Sequence, residues 1–178
     1  MGTSVTISTA VDSDAEQILK LQYLCYQPEA ALYDDYTLEP LTQTLDDLRA
    51  ELRRGIALVA RLGSEIVGAV RGEVDGDGTA KVAKLIVHPR MQGHGIGIRL
   101  MSGIEERLAV GDAAATSYQL FTGHRSEANL RLYKRLGYTP VSTQRVNAKL
   151  SLITLEKAAP GRERPPQASA AATATTAR

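Results

Sequence analysis

Eleven residues constrain this chain more than any others: Val87-His88-Pro89-Arg90-Met91-Gln92-Gly93-His94-Gly95-Ile96-Gly97. An apolar segment, Thr79–Val87, runs into them, and after them Ile96, Leu100, Ile104 and Leu108 recur every four residues. That period marks the buried face of a helix. A strand must therefore turn sharply into a helix through alternating glycines. Glycine permits positive φ and lets a ligand approach the backbone closely. The first N–H groups of a helix lack internal partners and sit at the positive end of its dipole. Strand, glycine turn and helix start together make an anion site, typically for phosphate. The alternative is a tight turn with no ligand, but three alternating glycines then cost chain entropy without return.

Two common phosphate readings fail. A P-loop needs Gly-Lys-Ser/Thr at the helix start, whereas Gly97 is followed by Ile98-Arg99. A dinucleotide fingerprint needs G-x-G-x-x-G after the first strand of a βαβ unit. Here the spacing is G-x-G-x-G, after the third strand of a predicted meander.

That meander comprises Ile56–Leu62, Glu65–Val74 and Thr79–Val87, separated by the turn signals Gly63-Ser64 and Asp75-Gly76-Asp77-Gly78. Such short connections imply antiparallel pairing. Upstream, Val5, Ile7 and Thr9 alternate as a first strand. Ser13 and Glu16 then read as a capping box before a helix whose face holds Ala15, Ile18, Leu19, Gln22 and Cys25. Pro28 is expected to close that segment. A second helix should start near Thr42 or Thr44, bury Leu45, Leu48 and Leu52, and stop at Gly55. Downstream, Tyr118–Thr122 reads as a strand and Ser126–Leu136 as a helix ended by Gly137. Val141–Val146 and Lys149–Leu155 read as a closing strand pair. The order is mixed α/β, of α+β type, not a regular βαβ repeat.

The chain has 178 residues, which suits one domain. Residues 1–157 form the expected domain. Ala158–Arg178, rich in Ala, Pro and Thr, bears no large aliphatic or aromatic residue and is expected to be a disordered tail. Lys+Arg is 21 against Asp+Glu 20, so charge alone drives no nucleic-acid binding. No apolar run is long enough to span a membrane, and the polar N-terminus does not read as a signal peptide. The single cysteine, Cys25, leaves no internal disulfide or multi-thiolate metal site, so the cytoplasm is the expected compartment.

The spacing Gln92-x-x-Gly95-x-Gly97 resembles the Q/R-x-x-G-x-G/A loop of the GNAT superfamily of N-acetyltransferases. Leu85-Ile86-Val87-His88-Pro89 resembles that family's strand before the loop. A second segment, Asn129-Leu130-Arg131-Leu132-Tyr133-Lys134-Arg135-Leu136-Gly137-Tyr138, resembles its N-x-x-x-Y helix, in the right order and distance. The element order from Val5 to Leu155 matches as well. The resemblance implies a mostly antiparallel sheet of about six to seven strands with one splayed parallel pair, and helices on both faces.

It further implies acetyl-CoA as acyl donor, with no metal. Backbone amides of Ile86, Val87 and His88 would meet the pantetheine arm. Amides from Gln92 through Gly93, His94, Gly95, Ile96 and Gly97, with Ile98 and Arg99, would hold the pyrophosphate. Asn129 matches a position that hydrogen-bonds the cofactor, and Tyr133 one that often faces the thioester sulfur. A tyrosine, with pKa about 10, can protonate a leaving thiolate at neutral pH, so Tyr133 suits a general acid. As a core residue it would instead pack with Leu130 and Leu136. The family's frequent glutamate on the strand before the loop is missing. Glu73 and His124 are the nearest substitutes, and each also reads as an ordinary surface or loop residue.

Pro28–Leu48 carries Glu29, Asp34, Asp35, Glu39, Asp46 and Asp47 with no Lys or Arg, beside Tyr23, Tyr26, Tyr33 and Tyr36. Acids with aromatics suit a cationic amine. Tyr33, Asp34 and Tyr36 are the acceptor-site candidates, with a solvated acidic loop as the alternative. His88, His94 and His124 lack metal-ligand spacing. The expected function is direct acetyl transfer from acetyl-CoA to a small cationic amine. Alternatives are acetylation of a protein N-terminus or lysine, a larger acyl donor, or a non-catalytic acyl-CoA-binding regulator. No nucleic-acid or membrane partner is expected; the family often forms a homodimer.

Overall fold

The computed structural model describes residues 4–111 and 114–161. One seven-stranded sheet runs through it: β1 (Val5–Thr9), β2 (Ile56–Leu62), β3 (Glu65–Val74), β4 (Thr79–Val87), β5 (Ser117–Gly123), β6 (Thr139–Arg145) and β7 (Ser151–Ala158). The spatial order is β1-β2-β3-β4-β5-β7-β6, and β4–β5 alone is parallel. This is the mixed sheet that the sequence led us to expect. The three meander strands have the predicted limits because each is a run of strand formers, β2 and β3 closed by glycine turns and β4 by the 3-10 turn Pro89–Met91.

Alternation along the strands sends side chains to two cores. Leu58, Ala60, Val67, Val70 and Val82 meet α5 (Ile96–Leu108) through Leu100, Met101 and Ile104. Val59, Ile66, Ala69 and Ile86 face the other way, against Ile18 of α1 (Ala15–Cys25) and Leu48 of α4 (Leu45–Arg54). Helices thus cover both faces, and burial of these aliphatics, each contributing about 1.5–3 kcal/mol, holds the layers together. Among the described residues, no helix is long and apolar enough to cross a membrane.

Several local expectations fail for identifiable reasons. The Ser13–Glu16 capping box does not form. Asp14 takes over the turn instead, accepting from Val11 N at 2.9 Å and from Arg61 at 2.6 Å. Pro28 opens rather than closes a helix: it lies in the first turn of α2 (Gln27–Tyr33), where its missing N–H costs nothing. A short α3 (Glu39–Thr42) follows. Thr44 caps α4 as expected, accepting from Asp47 N at 3.2 Å. Gly55 is not a left-handed stop; its φ is −132°, and a Cβ there would meet Gly72 O. Ala158 ends β7 and Ala159 is buried, so the sheet reaches one residue past the expected boundary. The rest of the expected tail, from residue 162, lies outside the described residues.

Candidate active site

The site begins with a fault in β4. In the β3–β4 ladder Ala69 faces Ile86 while Arg71 faces Ala83, so β4 carries one extra residue there. Lys84 lies in this bulge with φ +53°, a conformation that costs an L-residue about 1–2 kcal/mol. Its ammonium is held at 3.0 Å by Glu39, 3.1 Å by Gln43 and 3.1 Å by Glu51, which offsets the strain. Burial opposes the charge on Glu51, but the Gln43 hydrogen bond and the Arg71 and Lys84 cations still hold its pKa low. The bulge bends β4, and its parallel pairing with β5 ends at Lys81↔Gln119. Beyond that point β5 continues on β7 up to Gly123. The two strands part, and a cleft of about 940 Å³ opens between Val82–Val87 and Leu120–Gly123.

Of the three β4 amides expected to serve a ligand, the geometry leaves one. His88 N donates to Val67 O at 2.8 Å, so it is spent on β3. Ladder alternation turns Ile86 the same way and leaves Val87 N–H on the side that β5 vacates. The Val87 carbonyl accepts from Gln92 Nε2 at 3.3 Å and from Cys25 Sγ at 3.4 Å. Burial pushes the Cys25 thiol up to about 11, so it stays protonated at neutral pH.

The glycine loop caps one end of the cleft. Gly93 and Gly95 have φ of +83° and +76°, and no atom would obstruct a Cβ on either. Gln92, Gly93 and Gly97 line the cleft, and α5 starts at Ile96. The amides of Ile96, Gly97 and Ile98 occupy the unpaired first turn. Arg99 departs from the expectation: its amide donates to Gly95 O at 3.1 Å, and its guanidinium reaches Val5 O at 3.0 Å. It is a structural tie. His94 is exposed and does not line the cleft.

The opposite wall is α6 (Glu127–Arg135), which brings Asn129 and Tyr133 to the cleft. The Tyr133 ring packs edge-on to Tyr138 at 6.0 Å, so the core role and the cleft position coexist. Burial, with the charge of Glu29 adding to it, pushes the Tyr133 phenol up to about 12.

The remaining candidates divide. Tyr33 is buried and lines the cleft. Asp34 instead pairs with Lys149 at 2.9 Å on the surface, and Tyr36 is 57% exposed; neither lines the cleft. Glu73 stands opposite Lys81, at the end where β4 and β5 are still joined, and is also outside it. His124 is engaged with Ser151, receiving its N–H at 2.9 Å. The cleft carboxylates are Glu29, Asp35 and Glu39. The acidic composition of the segment was visible beforehand; their individual placement was not.

A family model described as the acetyltransferase (GNAT) domain matches residues 53–140. Among solved structures, paia N-acetyltransferase from Thermoplasma acidophilum, in complex with coenzyme A, superposes with a TM-score of 0.73. It is 16% identical, over 87% of this chain and 99% of that one. The yncA protein of Salmonella typhimurium with its cofactor acetyl-CoA gives 0.70 at 19% identity, over 92% and 99%. An acetyltransferase of the GNAT family from Streptococcus pneumoniae gives 0.71 at 18%, over 87% and 99%. These likenesses speak for the fold. The family match falls on the segment that runs from the end of α4 through the split strands to the start of β6, and on that ground residues 53–140 match the acetyltransferase domain of the GNAT family.

Proposed function

We propose that this protein transfers an acetyl group from acetyl-CoA to a primary amine, directly and without a covalent enzyme intermediate. One observation carries the reading: the opening between β4 and β5 joins a strand edge, an anion-suited glycine turn and a buried phenol in a single cleft. The residues fit an acyl-CoA. The free Val87 N–H suits a carbonyl oxygen on the thioester, where a fixed backbone donor stabilises developing negative charge. The unobstructed Gly93 and Gly95, with the first amides of α5, suit the pyrophosphate. Asn129 and Tyr133 both line the cleft, which supports the roles that the resemblance gives them, on the pantetheine arm and at the leaving sulfur. The high pKa of Tyr133 keeps it protonated and able to donate. The inert thiol of Cys25 favours direct transfer over an acyl-cysteine.

The acceptor is a small cationic amine. Tyr26 and Tyr33 offer aromatic surface, and Glu29, Asp35 and Glu39 offer negative charge, on the cleft lining. The domain responsible includes Ala159, which is buried, and deletion from residue 162 onward should leave turnover intact. Release of CoA from acetyl-CoA across spermidine, lysine, aminoglycosides, arylamines and short peptides tests the reading. Strong turnover with one class identifies the acceptor. Acetyl-CoA binding with no turnover in any class would instead mean a regulator that only binds the donor.

A further inference from the structure

The acetyltransfer reading lacks a group that takes the proton from the incoming ammonium, and the strand before the glycine loop supplies no carboxylate. Among the described residues three carboxylates line the cleft, and two are otherwise engaged. Glu39 is paired with Lys84 at 3.0 Å. Asp35 accepts from the hydroxyl of Thr37 at 2.6 Å and from its amide at 2.9 Å, bonds that hold its pKa down and weaken it as a base.

Glu29 is different. Ser126 Oγ lies 2.7 Å from its Oε2, Tyr33 Oη lies 2.8 Å from Ser126 Oγ, and Arg125 N lies 3.0 Å from Tyr33 Oη. The amide can only donate and an ionised carboxylate can only accept, so every bond in the chain points one way. Arg125 N–H donates to Tyr33, Tyr33 to Ser126, and Ser126 to Glu29. Ser126 stands at the N-cap position of α6, where serine ordinarily bonds an amide of its own helix. It makes no such bond. Its hydroxyl is diverted across 97 positions of sequence to hold one carboxylate at the cleft wall. A local rule broken in this manner points to a use elsewhere.

We infer that Glu29 is the catalytic residue that receives the acceptor's ammonium and removes its proton, held in place by Ser126 and Tyr33. This rests on the acetyltransfer reading. The ammonium gives one proton to the Glu29 carboxylate and becomes the neutral amine. Its lone pair forms the N–C bond to the acetyl carbon while the C–S bond breaks. The thiolate takes a proton from Tyr133, which recovers it from the acetylated nitrogen. The proton on Glu29 is released to water, so the sum is ammonium plus thioester giving amide, thiol and H⁺. Burial raises the pKa of Tyr26 and Tyr133, and the charge of Glu29 beside them adds to it in both.

The other ionisable groups nearby are accounted for. Lys84 is spent on Glu39 and Glu51, Arg125 reaches Leu32 O at 3.2 Å, and the His124 ring lies tilted beside Tyr33 at 5.8 Å. None is a competing base facing the same carboxylate.

The test is Glu29→Gln, which can still accept from Ser126 and so keeps the tether. Spermidine and phenethylamine serve as probe amines. At pH 7.5 the variant should lose about 10²–10⁴-fold in kcat/KM. Its rate should then climb about tenfold per pH unit towards the amine's own pKa, near 10, where free base is already present. Calorimetry should show weaker amine binding and unchanged CoA binding. Ser126→Ala keeps the carboxylate and should lower kcat/KM while leaving the shape of the pH profile alone. Wild-type turnover with a Glu29→Gln variant of unchanged KM, kcat and pH profile would overturn the assignment. A wild-type protein that acetylates neither these amines nor any of the wider panel would instead overturn the acetyltransfer reading beneath it.

Discussion

Gly123, the last residue of β5, sits so close to Tyr33 that its replacement can be worked out in advance. A Cβ built there would lie 2.5 Å from Tyr33 Cζ, 2.9 Å from Cε2 and nearer still to Oη. Ordinary carbon contacts are about 3.5–4.0 Å, so the ring must withdraw by about 1 Å or more. It is buried and cannot move freely. Its hydroxyl bonds, at 2.8 Å to Ser126 Oγ and 3.0 Å from Arg125 N, would stretch out of range. Overpacking costs about 1–3 kcal/mol, and two lost hydrogen bonds add about 0.5–1.5 kcal/mol each. Gly123→Ala should therefore cost about 2–6 kcal/mol in urea unfolding. In a Tyr33→Leu background the obstructing atoms are gone, and the same change should cost under about 1 kcal/mol. A double-mutant cycle reads the difference as coupling. Equal costs in both backgrounds would refute the steric account, as would a cost under about 1 kcal/mol in the wild type.

Other expectations follow from the same geometry. Tyr133→Phe should cut turnover by about 10²–10⁴-fold with acetyl-CoA affinity unchanged; turnover within threefold of wild type would remove its acid role. Because burial lifts that phenol to about 12, its loss of a proton should produce no alkaline fall in rate below about pH 10. Cys25→Ser should retain activity within a few-fold, and mass spectrometry of wild type mixed with acetyl-CoA should find no acetylated thiol. Asp14 is held below its usual 3.8 because, despite burial, its bonds to Arg61 and Val11 N favour the anion. Its contribution is therefore present above about pH 3.8 and lost as pH falls through the lower folded value. Asp14→Asn should cost about 1–3 kcal/mol at pH 7, and the gap to wild type in urea titrations should shrink near pH 3.

What could be read in advance was what depends on near neighbours in sequence. The meander emerged with its limits because β2, β3 and β4 are runs of strand formers stopped by glycine turns or, for β4, by Pro89. The glycine loop could be read because strand, turn and helix are contiguous. Non-local facts were hidden. Nothing around Pro28 says whether a helix ends or begins there; α2 is set by packing. Lys84 looks like one more strand lysine until Glu39, Gln43 and Glu51 gather on it. Ser126 looks like an ordinary helix cap, and its diversion is visible only when Glu29 arrives from a distant element. Glu73 lies on the strand next to β4 yet far from the cleft, because the cleft opens at the other end of β4, a distance that strand adjacency alone does not reveal.

The parallel seam between β4 and β5 consists of three residue pairs, from Thr79↔Ser117 to Lys81↔Gln119. Mechanically, such a sheet is two plates sharing a short hinge: β1 to β4 on one side, β5 to β7 on the other. Few strand hydrogen bonds cross that seam, and the core that Tyr118 and Leu120 share with Leu100 and Ile104 does most of the joining. A molecule lying in the gap and bonding to Val87 would be a cross-tie, doing for the sheet what a missing strand segment would do. Its arrival should slow amide exchange along β4 beyond Lys81 and leave the β2–β3 ladder almost untouched, so that the protein's stiffness reports whether the gap is filled.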